Sequence, residues 1–186
     1  MFIFAANRVK NEWSADKTMM IKEFEDKGIN VTWTLLFMCF NSNNILENNR
    51  YEQRFISGRD IIDYAIELLT DTSNPQIVSL AIQNVDDEEN ILGLLQKLSE
   101  EENMDYQLEF RKFRAMYIYV NLPRASENYV HGILKISEIW NKFGFPEDSP
   151  NIFLKFSDYS QENFEKIVEI NEKWLLQEFK RLQEKR

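Results

Sequence analysis

Apolar residues recur along this chain at spacings of three and four, which is the pattern of amphipathic helices. In the middle of the chain, the intervals are four, three, four and three between Tyr106, Phe110, Phe113, Tyr117 and Val120. Because an α-helix has about 3.6 residues per turn, these side chains share one side of it. The spacing predicts a helix from Asp105 to Asn121, which Leu122-Pro123 ends.

Residues that favour helix starts divide the rest of the chain into further helices. Ser57, followed three residues later by Asp60, matches a capping box, in which the two side chains satisfy free backbone N–H groups. Asn74-Pro75 supplies a capping residue and a proline at the first helical position. Gly28 and Gly144 are placed to end helices. The predicted capping residues are Ser14, Asn30, Ser57, Asn74, Asp86 or Asp87, Ser126 and Ser160.

The segment after Asn30 is apolar on almost every side, as expected of a central helix. Its apolar residues include Val31, Trp33, Leu35, Leu36, Phe37, Met38 and Phe40. The asparagine-rich segment 41–54 predicts a loop, since asparagine side chains bond their own backbone and favour turns. Residues 152–156 predict a short extended piece laid over the core.

Two helices between Ser57 and Ile82 are joined by a few turn residues, which predicts an antiparallel helical hairpin. We expect their apolar residues to be buried. The residues concerned are Ile61, Ile62, Ala65, Ile66, Leu68 and Leu69 on the first helix and Ile77, Val78, Leu80, Ala81 and Ile82 on the second.

Glycine and proline are scarce, with 5 Gly and 4 Pro in 186 residues. A fold of many short strands needs more turn residues than this. We therefore predict an all-α single domain of about six to seven helices, arranged as antiparallel hairpins or an irregular bundle. Residues 1–18 are weakly patterned, so we expect them to form a flexible N-terminal extension before the domain at 19–186.

The last predicted helix begins after Ser160 and has a long apolar stripe. The stripe comprises Phe164, Ile167, Val168, Trp174, Leu175, Phe179 and Leu182. Core packing is the ordinary role of such a stripe. The alternative is a surface for oligomerisation. On the other side of the helix, Glu162 with Lys166 and Glu169 with Lys173 have the spacing of stabilising i, i+4 pairs.

Acidic residues exceed basic ones, and the formal net charge is −9. This sign is opposite to that of nucleic-acid-binding proteins. Most of the excess lies in one segment, at Asp86, Asp87, Glu88, Glu89, Glu100, Glu101 and Glu102. These residues are our candidate surface for a basic protein partner. The alternative is that the acidic helix lies alongside a basic one carrying Arg111, Lys112, Arg114 and Arg124, and only keeps the protein soluble.

The residues that common reaction centres require are mostly missing from the sequence. His131 is the single histidine and Cys39 the single cysteine. Zinc sites and Ser/His or Cys/His catalysis need more than these, and no phosphate-binding glycine motif occurs. We predict no cofactor and no metal. The enzymatic alternative would use paired carboxylates, for which Asp60 and Asp63 are candidates.

Sequence features that would direct the chain to a membrane or out of the cell are also missing. The longest apolar run, Leu35 to Phe40, is far shorter than the roughly 20 residues that span a bilayer. The apolar start lacks the basic stretch of a secretion signal. Cys39 lies among apolar residues and is expected to fill a core as a free thiol. We therefore expect a cytoplasmic protein.

Three stretches of the chain resemble the bacterial domain-of-unknown-function family 2247. They are residues 29–33 (INVTW), 56–65 (ISGRDIIDYA) and 139–147 (IWNKFGFPE), which suggest similarity from about Ile29 to Phe156. The resemblance implies an all-helical soluble domain and carries over no functional residues. By analogy, similar small acidic proteins occur in bacterial toxin–immunity systems.

These observations together predict a protein-binding domain rather than an enzyme. The specific hypothesis is an immunity protein that neutralises a basic toxin through its acidic surface. A structural or oligomerisation protein is the other alternative.

Overall fold

The computed structural model describes residues 19–46, 54–71, 73–125, 128–150 and 159–184. Within these ranges the chain forms nine α-helices and no strand. The helices are α1 (Met19–Asp26), α2 (Trp33–Phe40), α3 (Ser42–Ile45), α4 (Gly58–Glu67), α5 (Pro75–Ala81), α6 (Glu88–Glu102), α7 (Tyr106–Asn121), α8 (Tyr129–Asn141) and α9 (Gln161–Gln183), with a 3₁₀ turn at Leu122–Arg124. The predicted all-α fold is confirmed.

Most predicted helix starts are confirmed, and two are wrong. Helix α2 is capped by Thr32 rather than Asn30, and α8 is capped by Asn128 rather than Ser126. Segment 41–54 contains the short helix α3, which the predicted loop does not include, and the nine helices of the described residues exceed the predicted six to seven. The extended piece at 152–156, the extension at 1–18 and its cap Ser14 lie outside the described residues.

Helix α2 is the centre of the fold and packs against α6 and α7. Its side chains Leu35, Leu36, Met38, Cys39 and Phe40 are fully buried. This confirms the prediction that the segment after Asn30, which is apolar on almost every side, forms a central helix. A helix that is apolar all round is stable only when neighbours cover every side.

Aromatic rings from α7 and two loops form a continuous cluster beside α2. Phe113 contacts the rings of Phe55, Phe110, Tyr117 and Phe143 at centroid distances of 5.7 to 6.2 Å. The rings meet edge to face, with interplanar angles of 63° to 73°. This arrangement is favoured because the positive edge of one ring faces the negative face of the other.

Two tryptophans join α8 to α9, and a guanidinium from α7 lies against them. The rings of Trp140 and Trp174 are 4.9 Å apart at 84°. Trp140 Nε1 donates a hydrogen bond to Asn171 Oδ1 at 2.6 Å. The guanidinium carbon of Arg114 is 5.3 Å from the Trp174 ring centroid and 6.0 Å from that of Trp140. Trp174 Nε1 is buried and has no hydrogen-bond partner among the described residues.

The final helix packs against α7 and α8. Its predicted stripe is buried at Ile167, Trp174, Leu175, Phe179 and Leu182, so the core-packing interpretation is confirmed. On its exposed side, both predicted i, i+4 pairs form: Lys166 Nζ lies 2.6 Å from Glu162 and Lys173 Nζ lies 2.5 Å from Glu169.

Helices α4 and α5 pack together as the predicted hairpin, and α5 also packs against α6. The capping box at Ser57 and Asp60 is confirmed, as are the Asn74 cap and Pro75 at the first helical position. At the start of α4, a Cβ on Gly58 would lie 2.9 Å from the Val85 carbonyl oxygen. The hairpin is therefore held close to the turn that precedes α6.

We predict opposite effects of alanine at Gly58 of α4 and at Gly93 of α6. Gly58→Ala places its Cβ against the Val85 oxygen and 3.0 Å from Ile91 Cδ1. It should lower the free energy of unfolding by about 1–3 kcal/mol. Gly93→Ala is the matched control, because nothing lies within 4 Å of its added Cβ. It should raise that free energy by about 0.5–1 kcal/mol. Urea unfolding measures both, and equal effects would contradict the prediction.

We also predict that replacing each of the two contacting tryptophans by phenylalanine lowers the free energy of unfolding by a different amount. Trp140→Phe removes the buried hydrogen bond to Asn171, whereas Trp174→Phe removes an N–H with no described partner. The volume lost is the same, so Trp140→Phe should destabilise the protein by about 1 kcal/mol more. Unfolding followed by circular dichroism tests this, and a greater cost at Trp174 would overturn it.

Candidate functional site

The predicted acidic residues divide into those that hold the structure and those that face solvent. Glu102, the last residue of α6, belongs to the first group. Its Oε2 accepts hydrogen bonds from the backbone N–H of Thr34 at 3.0 Å and from the Thr34 hydroxyl at 3.1 Å. Thr34 lies in the first turn of α2, where backbone N–H groups have no partner within the helix. The Glu102 side chain therefore caps α2 from outside.

A second carboxylate, Glu109 of α7, lies at the same end of α2 and is fully buried. Its Oε2 accepts from the Thr32 hydroxyl at 2.6 Å, and its Oε1 accepts from Lys112 Nζ at 2.7 Å. The same Thr32 oxygen accepts from the Leu35 N–H at 3.0 Å. The partial positive charge of a helix N-terminus favours carboxylates at this position. Two acidic residues thus fix the start of the central helix.

Three more candidate residues make local structural contacts. Glu101 accepts from Asn74 Nδ2 at 2.7 Å and from Gln76 Nε2 at 3.0 Å, which ties α6 to α5. Glu88 pairs with Arg54 at 2.7 Å. Asp87 caps α6 by accepting from the Asn90 N–H at 3.3 Å, as one of the two predicted alternatives.

The remaining candidates, Asp86, Glu89 and Glu100, are exposed, and we call them the outer acidic line. Within the described chain, none of these carboxylates accepts a hydrogen bond from another helix. Glu89 and Glu100 lie on one side of α6 with Gly93 and Gln96, at intervals of four, three and four. Gln96 donates to Glu100 at 3.0 Å along this side. Five of the seven predicted residues are therefore exposed, but Glu88 and Glu101 bond to Arg54 and to α5, which leaves the three residues of the outer acidic line without such a partner.

The basic residues of α7 do not neutralise α6, contrary to the alternative that acidic and basic helices lie side by side. Arg111 makes two hydrogen bonds to Glu178 of α9, at 2.8 and 2.9 Å. These bonds raise the pKa of Arg111 above its usual value, although partial burial opposes the shift. Arg114 pairs with Asp148 at 2.5 Å, and Lys112 pairs with the buried Glu109.

The candidates for enzymatic chemistry lie on three helices: Asp60 and Asp63 on α4, His131 on α8 and Cys39 on α2. Asp60 is buried, and its Oδ2 accepts from the Ser57 N–H at 2.7 Å and the Ser57 hydroxyl at 2.5 Å. Asp63 lies almost one turn further along α4 and is half-buried. His131 is exposed on α8. Cys39 is a free, buried thiol, as predicted, and burial raises its pKa, with a further contribution from the Glu109 charge.

Two features are absent from the described residues. These residues contain no group of three or more His, Cys, Asp or Glu side chains placed to hold a metal ion. No helix in this part of the chain has both the length and the apolar character needed to cross a bilayer.

Acidic residues from outside the predicted segment also gather near the end of α6. Tyr64 of α4 has a raised pKa, chiefly because it is partly buried and then because of the charges of Glu25, Glu102 and Glu67. Its ring contacts that of Trp33 at a centroid distance of 5.5 Å. The sequence gives no local signal for Glu25, because its position depends on how α1 packs against α4.

The hairpin α4–α5 carries the largest departure from the predicted burial. Five of its apolar residues are exposed, and we call them the hairpin surface: Ile66, Leu68, Leu69, Val78 and Ile82. The exposure reaches 79 % at Ile82. The prediction that they are buried is wrong, because α4 and α5 lie at the edge of the fold, where neighbouring helices cover only one side of each.

We predict that neutralising a carboxylate that bonds to another helix lowers the stability of the protein. Neutralising a carboxylate of the outer acidic line should not. Glu102→Gln weakens the charge-assisted hydrogen bonds to Thr34 and should destabilise the protein by about 1–2 kcal/mol. Glu100→Gln, two residues away and exposed, should change stability by less than about 0.5 kcal/mol. Chemical unfolding of both variants checks this. A larger loss from Glu100→Gln would contradict the division.

Comparison with known proteins places the chain in a bacterial family. No curated protein and no solved structure matches it. The family DUF2247, described as an uncharacterized protein conserved in bacteria, matches residues 21–179. The match confirms the resemblance seen in the sequence and extends it in both directions, from α1 into α9. The chain therefore belongs to the DUF2247 family of proteins conserved in bacteria.

Proposed function

We propose that this chain is a protein-binding domain without catalytic activity, and that its outer acidic line guides a basic partner onto α6. The arrangement suits an immunity protein that blocks a basic toxin. The observation that carries the proposal is the uncompensated charge on the exposed side of α6. Asp86, Glu89 and Glu100 are exposed, while the cations of the next helix pair with carboxylates elsewhere.

The physical effect of such a surface is mainly on the rate of association. Charges of one sign on one side of a protein attract a partner of opposite sign before contact, and they orient it. Association guided in this way is faster than neutral association by about 10- to 1000-fold at low salt, and the advantage falls as salt rises. Between Asn84 and Asp105, Lys97 is the single basic residue, so little positive charge offsets the negative electrostatic field of this segment.

Four of the seven acidic residues predicted for the surface are unsuitable as tests of binding. These four make contacts within the fold: Asp87, Glu88, Glu101 and Glu102. Reversing their charge would therefore disturb the fold as well as the electrostatic field of the surface. The residues of the outer acidic line separate the two effects, because their side chains form no hydrogen bond or ion pair with another described helix.

We predict that reversing the outer acidic line slows association in a salt-dependent way. The variant is Asp86→Lys, Glu89→Lys and Glu100→Lys. Its association rate with a basic partner captured from the encoding bacterium should fall at least about tenfold at low salt. The difference should shrink at high salt, because screening weakens interactions between exposed charges. Surface plasmon resonance at several salt concentrations measures both. If the partner is a toxin, protection should weaken in parallel.

The matched control carries the same change in net charge on α9 and its cap: Glu165→Lys, Glu172→Lys and Glu184→Lys. All three positions are exposed. This control should change the association rate by less than about threefold, because its charges lie on a helix that packs against α7 and α8. Equal slowing by both variants would show an effect of net charge alone and would contradict the proposed surface. An unchanged rate in the first variant would also contradict it.

A further inference from the structure

The hairpin surface is an exposed apolar area with acidic residues around it. Val78 and Ile82 are spaced i, i+4, so they lie on the same side of α5. Ile66 lies in the last turn of α4, and Leu69 follows just after the C-cap of that helix. Single exposed apolar residues are common on protein surfaces, but a group of them marks an interaction site.

The charges beside this surface are predominantly negative. Between Gly58 and Ile82 the chain has one basic residue, Arg59, and four acidic ones: Asp60, Asp63, Glu67 and Asp71. Of these, Glu67 and Asp71 are exposed and lie next to the apolar residues in the chain. The hydrogen bonds from Asn74 and Gln76 also bring Glu101 of α6 to the start of α5. The apolar residues thus have carboxylates beside them on α4, in the connection to α5 and at the border with α6.

The hairpin surface is also continuous with the outer acidic line. Ile82 ends α5 as its C-cap, and Asp86 follows four residues later. Helix α5 packs directly against α6. A partner guided by the charges of α6 therefore arrives beside the exposed apolar residues of the hairpin surface.

We propose that the hairpin surface docks an amphipathic, basic helix of the partner protein. Its apolar side chains, spaced i, i+3 and i+4, would cover Ile66, Val78 and Ile82, and flanking lysines or arginines would face Glu67, Asp71 and Glu101. Burial of apolar side chains provides affinity in such complexes, and the flanking charges provide orientation. The inference rests on the proposed function and adds to it the chemistry of the bound segment.

A second copy of this chain fits the surface poorly. In a two-fold symmetric contact the same patch lies on both sides, so Glu67 and Asp71 of one copy would approach those of the other. The chain as a whole has a net charge of −9, which adds repulsion at long range. Charge complementarity therefore favours a basic occupant over self-association.

The test uses the full chain and a synthetic amphipathic helical peptide of leucine and arginine, labelled for fluorescence anisotropy. Two reference peptides accompany it: one with glutamate in place of arginine, and one with the same composition in scrambled order. The basic amphipathic peptide should bind at least tenfold more tightly than either. The double variant Val78→Ser with Ile82→Ser should weaken its binding at least tenfold.

The matched control is Leu134→Ser with Leu176→Ser, because these leucines are exposed on α8 and α9 at 46 % and 60 %. It should leave peptide binding within twofold of the original chain. Equal weakening by both double variants, or equal binding of the scrambled peptide, would overturn the inference. So would concentration-dependent self-association that Val78→Ser with Ile82→Ser abolishes, since the occupant would then be a second copy.

These outcomes separate the two proposals. If the reversal of the outer acidic line slows association but the hairpin variant leaves peptide binding unchanged, the docking inference fails and the proposed function stands. If the reversal has no effect on association with the captured partner, the proposed function fails whatever the peptide shows.

Discussion

The start of helix α2 is the point on which the arrangement of the other helices depends. An apolar helix can occupy the centre of a fold only if the backbone N–H groups of its first turn, which are then buried, find acceptors. Here the Thr34 N–H donates to Glu102 of α6, and the Leu35 N–H donates to Thr32, whose hydroxyl donates to Glu109 of α7. The same contacts that satisfy α2 therefore hold α6 and α7 against it. Lys112 offsets the cost of burying Glu109 by pairing with it.

This constraint gives the acidic helix α6 two distinct roles. The acidic residues at its two ends make structural contacts: Asp87 caps α6, Glu88 pairs with Arg54, and Glu102 caps α2. Its exposed side carries Glu89 and Glu100, whose charges face solvent. Since the cations of α7 pair with Glu109, Glu178 and Asp148, the exposed side of α6 keeps its negative charge. The proposed binding function follows from this separation and does not depend on the total charge of the chain.

Signals confined to a few neighbouring residues were enough to predict most of the fold. The Ser57–Asp60 capping box, the Asn74-Pro75 start and the 105–121 periodicity each concern residues within one or two turns, and the structure has all three. The α2 cap was misplaced because Asn30 and Thr32 are both good capping residues. The contact that favours Thr32 comes from Glu109, which is 77 positions away in the chain. The same limit applies to the site: the sequence located the acidic residues, but long-range contacts decide which of them bind other parts of the fold. Periodicity likewise predicted the apolar sides of α4 and α5, yet it cannot show how much of each side a neighbour covers.

Amide hydrogen exchange at the start of α2, measured by NMR on the native protein, tests this account most directly. First-turn amides of an exposed helix exchange rapidly because they lack partners, as expected for Gln161 and Glu162 of α9, which are exposed. If Glu102 and the Thr32–Glu109 pair hold α2 as described, the amides of Thr34 and Leu35 will instead exchange only when the protein unfolds globally. Exchange at these two amides as fast as at Gln161 and Glu162 would contradict the account.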